Sequence, residues 1–178
     1  MPTKMTSEIF ATANAISDIN NRAEYLKNNA TQAVKELINV NFNPEIKILL
    51  PEGTPEFLLN NERPPTHDDA SLNYEVRRLY LFVEGGSPNL TDLKRETLWI
   101  EMLKSLHEDE ADDLTHMKDR ILQKKYKNLT HEVCHLAFPE FVRQPKPKPV
   151  RDGKGRFSPK EDKEPQKKKT RRKKSSMA

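Results

Sequence analysis

Apolar residues recur at three- and four-residue intervals through most of the chain, and their spacing predicts helices. Ile9, Phe10, Ala13 and Ile16 mark the first, with Thr6 or Ser7 placed to cap its opening turn. Asn20 and Asn21 read as a break, after which a short second helix passes through Tyr25 and Leu26 to Asn28 and Asn29. A third begins near Thr31, carries Val34, Leu37 and Ile38 on one side, and stops at Asn43–Pro44. The proline disfavours helical backbone in the residue before it.

The pattern then changes. In EIKILLPEGTPEF, Glu45 to Phe57, the residues Ile46, Ile48 and Leu50 alternate with Lys47 and Leu49 as in a strand. No second strand candidate exists to pair with it, so the expectation is an extended or single-turn segment lying on the core. Residues 51–70 hold Pro51, Pro55, Pro64 and Pro65 and read as one long loop. Loops of that length are uncommon inside a compact domain unless they bind something or move.

Helical spacing resumes at Ser71, a candidate cap for a helix with Leu72, Val76, Leu79, Tyr80 and Val83 in one stripe. Gly85 and Gly86 end it before Ser87–Pro88. The next helix starts at Asn89 or Thr91. Its Leu93, Leu98, Trp99, Ile100, Met102, Leu103 and Leu106 cover most of its surface, which predicts the central buried helix. HEDEADDLTHMKDRIL follows, with Glu108, Asp109, Glu110, Asp112 and Asp113 in its first turns, where the helix dipole favours negative charge. Ala111, Leu114 and Met117 are expected to face inward. A last helix opens at Asn128 or Thr130 and closes at Phe138–Pro139. The reading is an all-α compact domain of about six or seven short helices over residues 1–142, with a Pro-rich loop at 51–70 and no internal repeat.

Composition adds a second part. The 178 residues are only 34% hydrophobic, with mean hydropathy −0.88, so the whole length cannot be packed core. Residues 143–178 contain fifteen Lys or Arg against four Asp or Glu, a net of +11. Residues 1–142 contain sixteen against twenty-three, a net of −7. One aromatic and almost no aliphatic residues remain in the basic segment, so it is expected to be a disordered tail. Lys167, Lys168, Lys169, Arg171, Arg172, Lys173 and Lys174 place seven positive charges in eight positions. Such a run binds DNA or RNA by releasing counterions from phosphates. A solubilising tail, a nuclear-localisation-like address and a membrane anchor are the alternatives. No lipidation signal or amphipathic partner accompanies the run, which disfavours the membrane. Neither a signal-peptide core nor an eighteen-residue apolar run occurs, and the single cysteine, Cys134, permits no internal disulfide. A soluble protein of a reducing compartment is expected.

One short motif suggests catalysis. His131, Glu132 and His135 stand as H-E-x-x-H, the arrangement in which two helical imidazoles hold zinc and the carboxylate acts as general base. At helical spacing Leu129, Val133, Leu136 and Ala137 share one arc and the two histidines fall on the opposite, outward one. No histidine follows His135 to supply a third ligand, and no sheet edge awaits a peptide. A solvated polar face is therefore preferred over a zinc hydrolase; His131 and His135 remain as weak metal candidates. Arg77, Arg78, Lys94 and Arg95 flank EGGSPNL, a turn that could offer backbone N–H groups to a phosphate, but a glycine stop and a proline-assisted restart explain it as well. Cys134 and Trp99 read as packing residues.

The succession NFNPEIKILLPEGTPEF, RRLYLFVEGGSPNL, KRETLWIEMLKSLHEDEADDL, MKDRIL, KKYKNLT and AFPEF resembles an uncharacterised conserved protein family of T4-like tailed bacteriophages over most of residues 5–141. The resemblance implies a small protein made in the cytoplasm of the infected bacterial host, with virion association as an alternative, and carries no activity or cofactor. In that family the positions of His131 and His135 are not fixed as histidine, and the basic tail extends the usual length. The function expected is non-enzymatic: nucleic-acid association through the tail, with the helical body binding a phage or host protein. The alternative is an adaptor or inhibitor of a replication or transcription protein that acts through the body.

Overall fold

The computed structural model describes residues 4–56 and 70–143. Among them stand eight α-helices and one 3-10 helix: α1 Thr6–Ala15, α2 Ile19–Asn29, α3 Gln32–Phe42, α4 Leu72–Glu75 running straight into the 3-10 helix Val76–Phe82, α5 Asp92–Ser105, α6 Glu108–Lys118, α7 Leu122–Lys125 and α8 His131–Ala137. The described residues are all-α. Most of the loop at 51–70 lies outside them.

The helix boundaries follow local chemistry. Asp18 caps α2 by accepting from the Asn21 N–H at 2.8 Å, and Thr31 caps α3 by accepting from Val34 at 3.3 Å. Asn20 and Asn21 thus open α2, and the break falls earlier, at Ile16–Asp18. Thr6 and Ser7 do not cap α1; both lie inside its first, buried turn. Glu8 instead accepts from the Met5 N–H at 3.0 Å, and Glu110, from α6, accepts from the Thr6 N–H at 3.0 Å.

The central helix is α6, where the apolar pattern points to α5. α6 packs against α1, α3, α5 and α7, while α5 leaves Leu93 77% exposed and buries only Arg95, Trp99, Met102 and Leu103. α6 buries Ala111, Leu114 and Met117 as expected, together with Glu110, Asp113, Thr115 and Lys118. A carboxylate enters a core only with partners. Glu110 has them: its two oxygens take the Thr6 and Leu72 N–H groups, at 3.0 and 3.3 Å, so one side chain caps both α1 and α4. The acidic helix ends at Arg120, whose φ of 58° breaks the run before α7.

Segment 45–50 is extended, and it does find a partner. Ile48 bridges Val83 in antiparallel sense, with Leu49 N–H to Phe82 O and Glu84 N–H to Lys47 O both at 2.8 Å. Val83 escapes a strand search because it stands alone after a helix. That helix is 3-10 from Val76, with about three residues per turn. Val76, Leu79 and Phe82 are therefore the buried line, and Tyr80, expected in the stripe, is 57% exposed.

The turn that follows is tight. Gly85 has φ +82°, and a Cβ on Gly86 would stand 1.9 Å from the Tyr80 carbonyl oxygen. Gly86→Ala must push the turn off the 3-10 helix, an overpacking cost of roughly 1–3 kcal/mol. A fall in urea midpoint of that size, with unchanged slope, is the expected result; an unchanged midpoint contradicts it.

Candidate functional site

The helix α8 carries the H-E-x-x-H motif, capped by Thr130, which accepts from the Val133 N–H at 3.4 Å. Its buried side is Val133, Cys134 and Ala137. Leu136 is 48% exposed, so the buried arc is turned by roughly one residue toward Cys134. The histidines are consequently half-buried rather than outward, while Glu132 is exposed. His135 Nδ1 donates to the Val142 carbonyl at 2.6 Å. His131 sets its ring edge-on to Phe42, with centroids 5.3 Å apart, and its buried Nδ1 has no partner among the described residues. Burial first, then the neighbouring His135, lowers the His131 pKa from its usual value. No group of three His, Cys, Asp or Glu side chains able to hold a metal occurs among the described residues. Cys134 faces the core, where burial pushes its thiol far up and leaves it unreactive.

The glycine turn offers no free cation from Arg95. That side chain is 3% exposed and spends its guanidinium on the turn itself: Nε donates to Leu81 O at 3.0 Å, Nη2 to Leu90 O at 3.1 Å and Ser87 O at 3.4 Å, and Nη1 meets Asp92 at 2.6 Å. Arg78 pairs with Glu75 at 2.9 Å, and Arg77 lies over the Tyr74 ring at 5.7 Å. Arginine here staples the start of α5 to the end of the 3-10 helix.

Two arrangements were not visible in the sequence. The first is a buried ionisable cluster where α6 meets α7. Asp113 is fully buried; its Oδ1 accepts from Tyr126 Oη at 2.9 Å and from Lys125 Nζ at 2.8 Å. Lys125 also meets Asp112 at 2.7 Å. Asp113 Oδ2 has no partner among the described residues, so nothing stabilises a charge there. Burial outweighs the lysine and tyrosine contacts and raises the Asp113 carboxyl to about 6. Burial would lower the Lys125 ammonium, but its two carboxylates prevail and its pKa is raised. The outcomes differ because exposure differs: Lys125 keeps a path to water, with its side chain 23% exposed, and Asp113 keeps none.

A raised carboxyl pKa means that between about pH 4 and 6 the folded chain holds a proton the unfolded chain has released. Stability from this group therefore falls as pH rises through that window, by on the order of 1–3 kcal/mol. Asp113→Asn should flatten that decline, with Asp112 still holding Lys125. The check is urea unfolding of both proteins at pH 4.5, 5.5 and 7.0. Parallel pH profiles contradict the assignment.

The second arrangement surrounds Trp99. Its ring stands edge-on to Phe82, with centroids 5.0 Å apart at 76°, and is 4% exposed. Its Nε1–H is buried with no hydrogen-bond partner among the described residues. Such a donor costs roughly 1–3 kcal/mol when left unmade. Trp99 is also part of the wall of a cleft of about 210 Å³ between α5 and residues 50–55.

Of the basic tail, Arg143 alone is described, paired with Glu45 at 2.6 Å; Lys167, Lys168, Lys169, Arg171, Arg172, Lys173 and Lys174 lie outside the described residues. No helix among the described residues is long and apolar enough to cross a membrane.

Fold and site together define a small helical domain whose conspicuous charged side chains cap helices, close turns and pair in the core. The chain belongs to the Family of unknown function (DUF6433), whose profile matches residues 9–124, from α1 into α7. The H-E-x-x-H helix and the basic segment fall outside the matched stretch. No curated protein and no solved structure matches the chain.

Proposed function

We propose that this is a non-enzymatic accessory protein that associates with DNA or RNA through its basic C-terminal segment and uses the helical body as a protein-interaction module. The observation that carries the reading is the partition of charge, +11 over residues 143–178 against −7 over residues 1–142. A polyanion is drawn to the first and repelled by the second. In the body, Glu110, Arg95 and Arg22 are engaged in structural hydrogen bonds.

The resemblance to proteins of T4-like phages supports a place in the cytoplasm of an infected bacterium, with packaging in the virion as the alternative. A second reading, an adaptor or inhibitor acting through the body, shares the interaction surface and dispenses with nucleic acid. Binding of the full chain to random duplex and single-stranded nucleic acid separates the two when compared with a variant carrying Gln at the seven tail positions. Salt-sensitive binding that the variant loses supports the first. Absence of binding by both proteins leaves the second.

A further inference from the structure

The cleft beside Trp99 has the features of a built site. Leu50, Pro51, Pro55, Trp99 and Ile100 give it an apolar lining, and its volume of about 210 Å³ lies below the range of drug-sized ligands, roughly 300–1,000 Å³. One large side chain is the right scale for it. The loop wall is held in place: Lys118 Nζ donates to the Pro51 carbonyl at 2.7 Å, and the Gly53 N–H donates to Asp119 Oδ2 at 3.1 Å. The cleft is thus formed before anything enters.

Two observations define the occupant. The lining is apolar and calls for an apolar side chain. At the rim, Glu52 is exposed and Glu96 half-buried, and neither is ion-paired among the described residues. The only cation in the lining, Lys118, is 7% exposed and already paired with Asp119. The mouth is therefore negative, which disfavours a phosphate or nucleic acid and favours Lys or Arg.

We propose that this cleft docks a basic peptide segment of a partner protein. One apolar side chain enters against Trp99 and Ile100, and flanking Lys or Arg side chains meet Glu52 and Glu96. The proposal rests on the reading of the body as a protein-interaction module and is independent of the tail's nucleic-acid contacts.

The chain has a single tryptophan, so its emission excited at 295 nm reports this site alone. The probes are fluorescein-labelled and unlabelled acetyl-Lys-Gly-Lys-X-Lys-Gly-Lys-amide peptides with X as Leu, Phe, Met or Gly, and a version with every Lys replaced by Glu. They are titrated into the full chain, with Trp99 emission and labelled-peptide anisotropy read in parallel. The expected result is a saturable change in Trp99 emission with the Leu, Phe or Met probe, at least tenfold weaker binding of the Gly probe, and none of the Glu version. Glu52→Lys combined with Glu96→Lys, both at the surface, should weaken binding tenfold or more. Equal binding of the Leu and Gly probes, or indifference to the Glu52 and Glu96 exchanges, overturns the proposal. An anisotropy change without a Trp99 response places the peptide elsewhere: the cleft is then refuted while the body remains an interaction module. Absence of both signals with every probe overturns the proposal, and nucleic-acid binding by the tail is untouched by either result.

Discussion

Arg22→Met is expected to cost the protein about 3–5 kcal/mol, because the guanidinium makes several charge-assisted hydrogen bonds worth roughly 1.5–3 kcal/mol each that do not simply add. Arg22 is 6% exposed in α2. Its Nε donates to the carbonyls of Ala13 at 3.2 Å and Ile16 at 3.0 Å, and its Nη2 to Ile16 and, at 3.2 Å, to Ser17. Ala13 O also takes the Ile16 N–H at 3.2 Å, whereas the Ile16 and Ser17 carbonyls belong to the turn that follows the helix. Nη1 reaches across to Asn128 O at 3.0 Å. Asn128 in turn donates from its N–H to Asn14 Oδ1 at 2.9 Å and from Nδ2 to Asn14 O at 2.7 Å. One side chain thus closes α1, shapes the α1–α2 turn and ties it to the segment that leads into α8.

Removing it takes the guanidinium from the Ile16, Ser17 and Asn128 carbonyls and leaves Ala13 O with the Ile16 N–H alone. The thermal midpoint should fall by on the order of 10 °C, at about 2–4 °C per kcal/mol for a chain of this size. Arg22→Lys should recover little, since one ammonium cannot reach all the carbonyls arrayed around the edge of the guanidinium. Calorimetry and urea unfolding measure both. A loss below 1 kcal/mol for the methionine variant, or full recovery by lysine, contradicts the role assigned to Arg22.

What the sequence could reveal depended on the range of each interaction. Thr31 capping α3 and Asn43–Pro44 ending it are local, and both ends were read correctly. The inward positions of Ile9, Phe10, Val34, Leu37, Leu114 and Met117 follow from spacing alone. The exchange of roles between α5 and α6 does not. Counting apolar residues favours α5, but Glu110 and Asp113 are admitted to the core by partners that spacing cannot indicate, the Glu110 partner Thr6 being 104 positions away. Nor could periodicity distinguish a 3-10 line of Val76, Leu79 and Phe82 from an α-helical stripe, since Val76 and Leu79 satisfy both.

The same limit governs the candidate sites. H-E-x-x-H is conspicuous in sequence because its three residues are adjacent, yet α8 ties His135 to Val142 and His131 against Phe42. Trp99 reads as a packing residue from its helical spacing, and it is buried; that its N–H is unmatched and that Leu50 and Pro55 stand across a cleft from α5 follows only from the fold. The basic run is a matter of composition alone, legible at once and unaffected by how the helices pack.

That run carries the central claim, and exchanging Lys167, Lys168, Lys169, Arg171, Arg172, Lys173 and Lys174 for Gln in the full chain tests it most directly. Each cation that neutralises a phosphate on duplex DNA adds about 0.9 to the slope of log K against log salt, so losing seven should reduce the slope by about 6. Affinity near 100 mM salt should fall on the order of a thousandfold, independent of DNA sequence. The substitutions lie outside α1–α8, so the unfolding midpoint should not change. The measurement is a salt titration of both proteins against random-sequence duplex DNA, single-stranded DNA and RNA. A steep slope in the unsubstituted chain that collapses in the glutamine variant is the result this account predicts; equal affinities and slopes for the two proteins, or no binding by either, would contradict it.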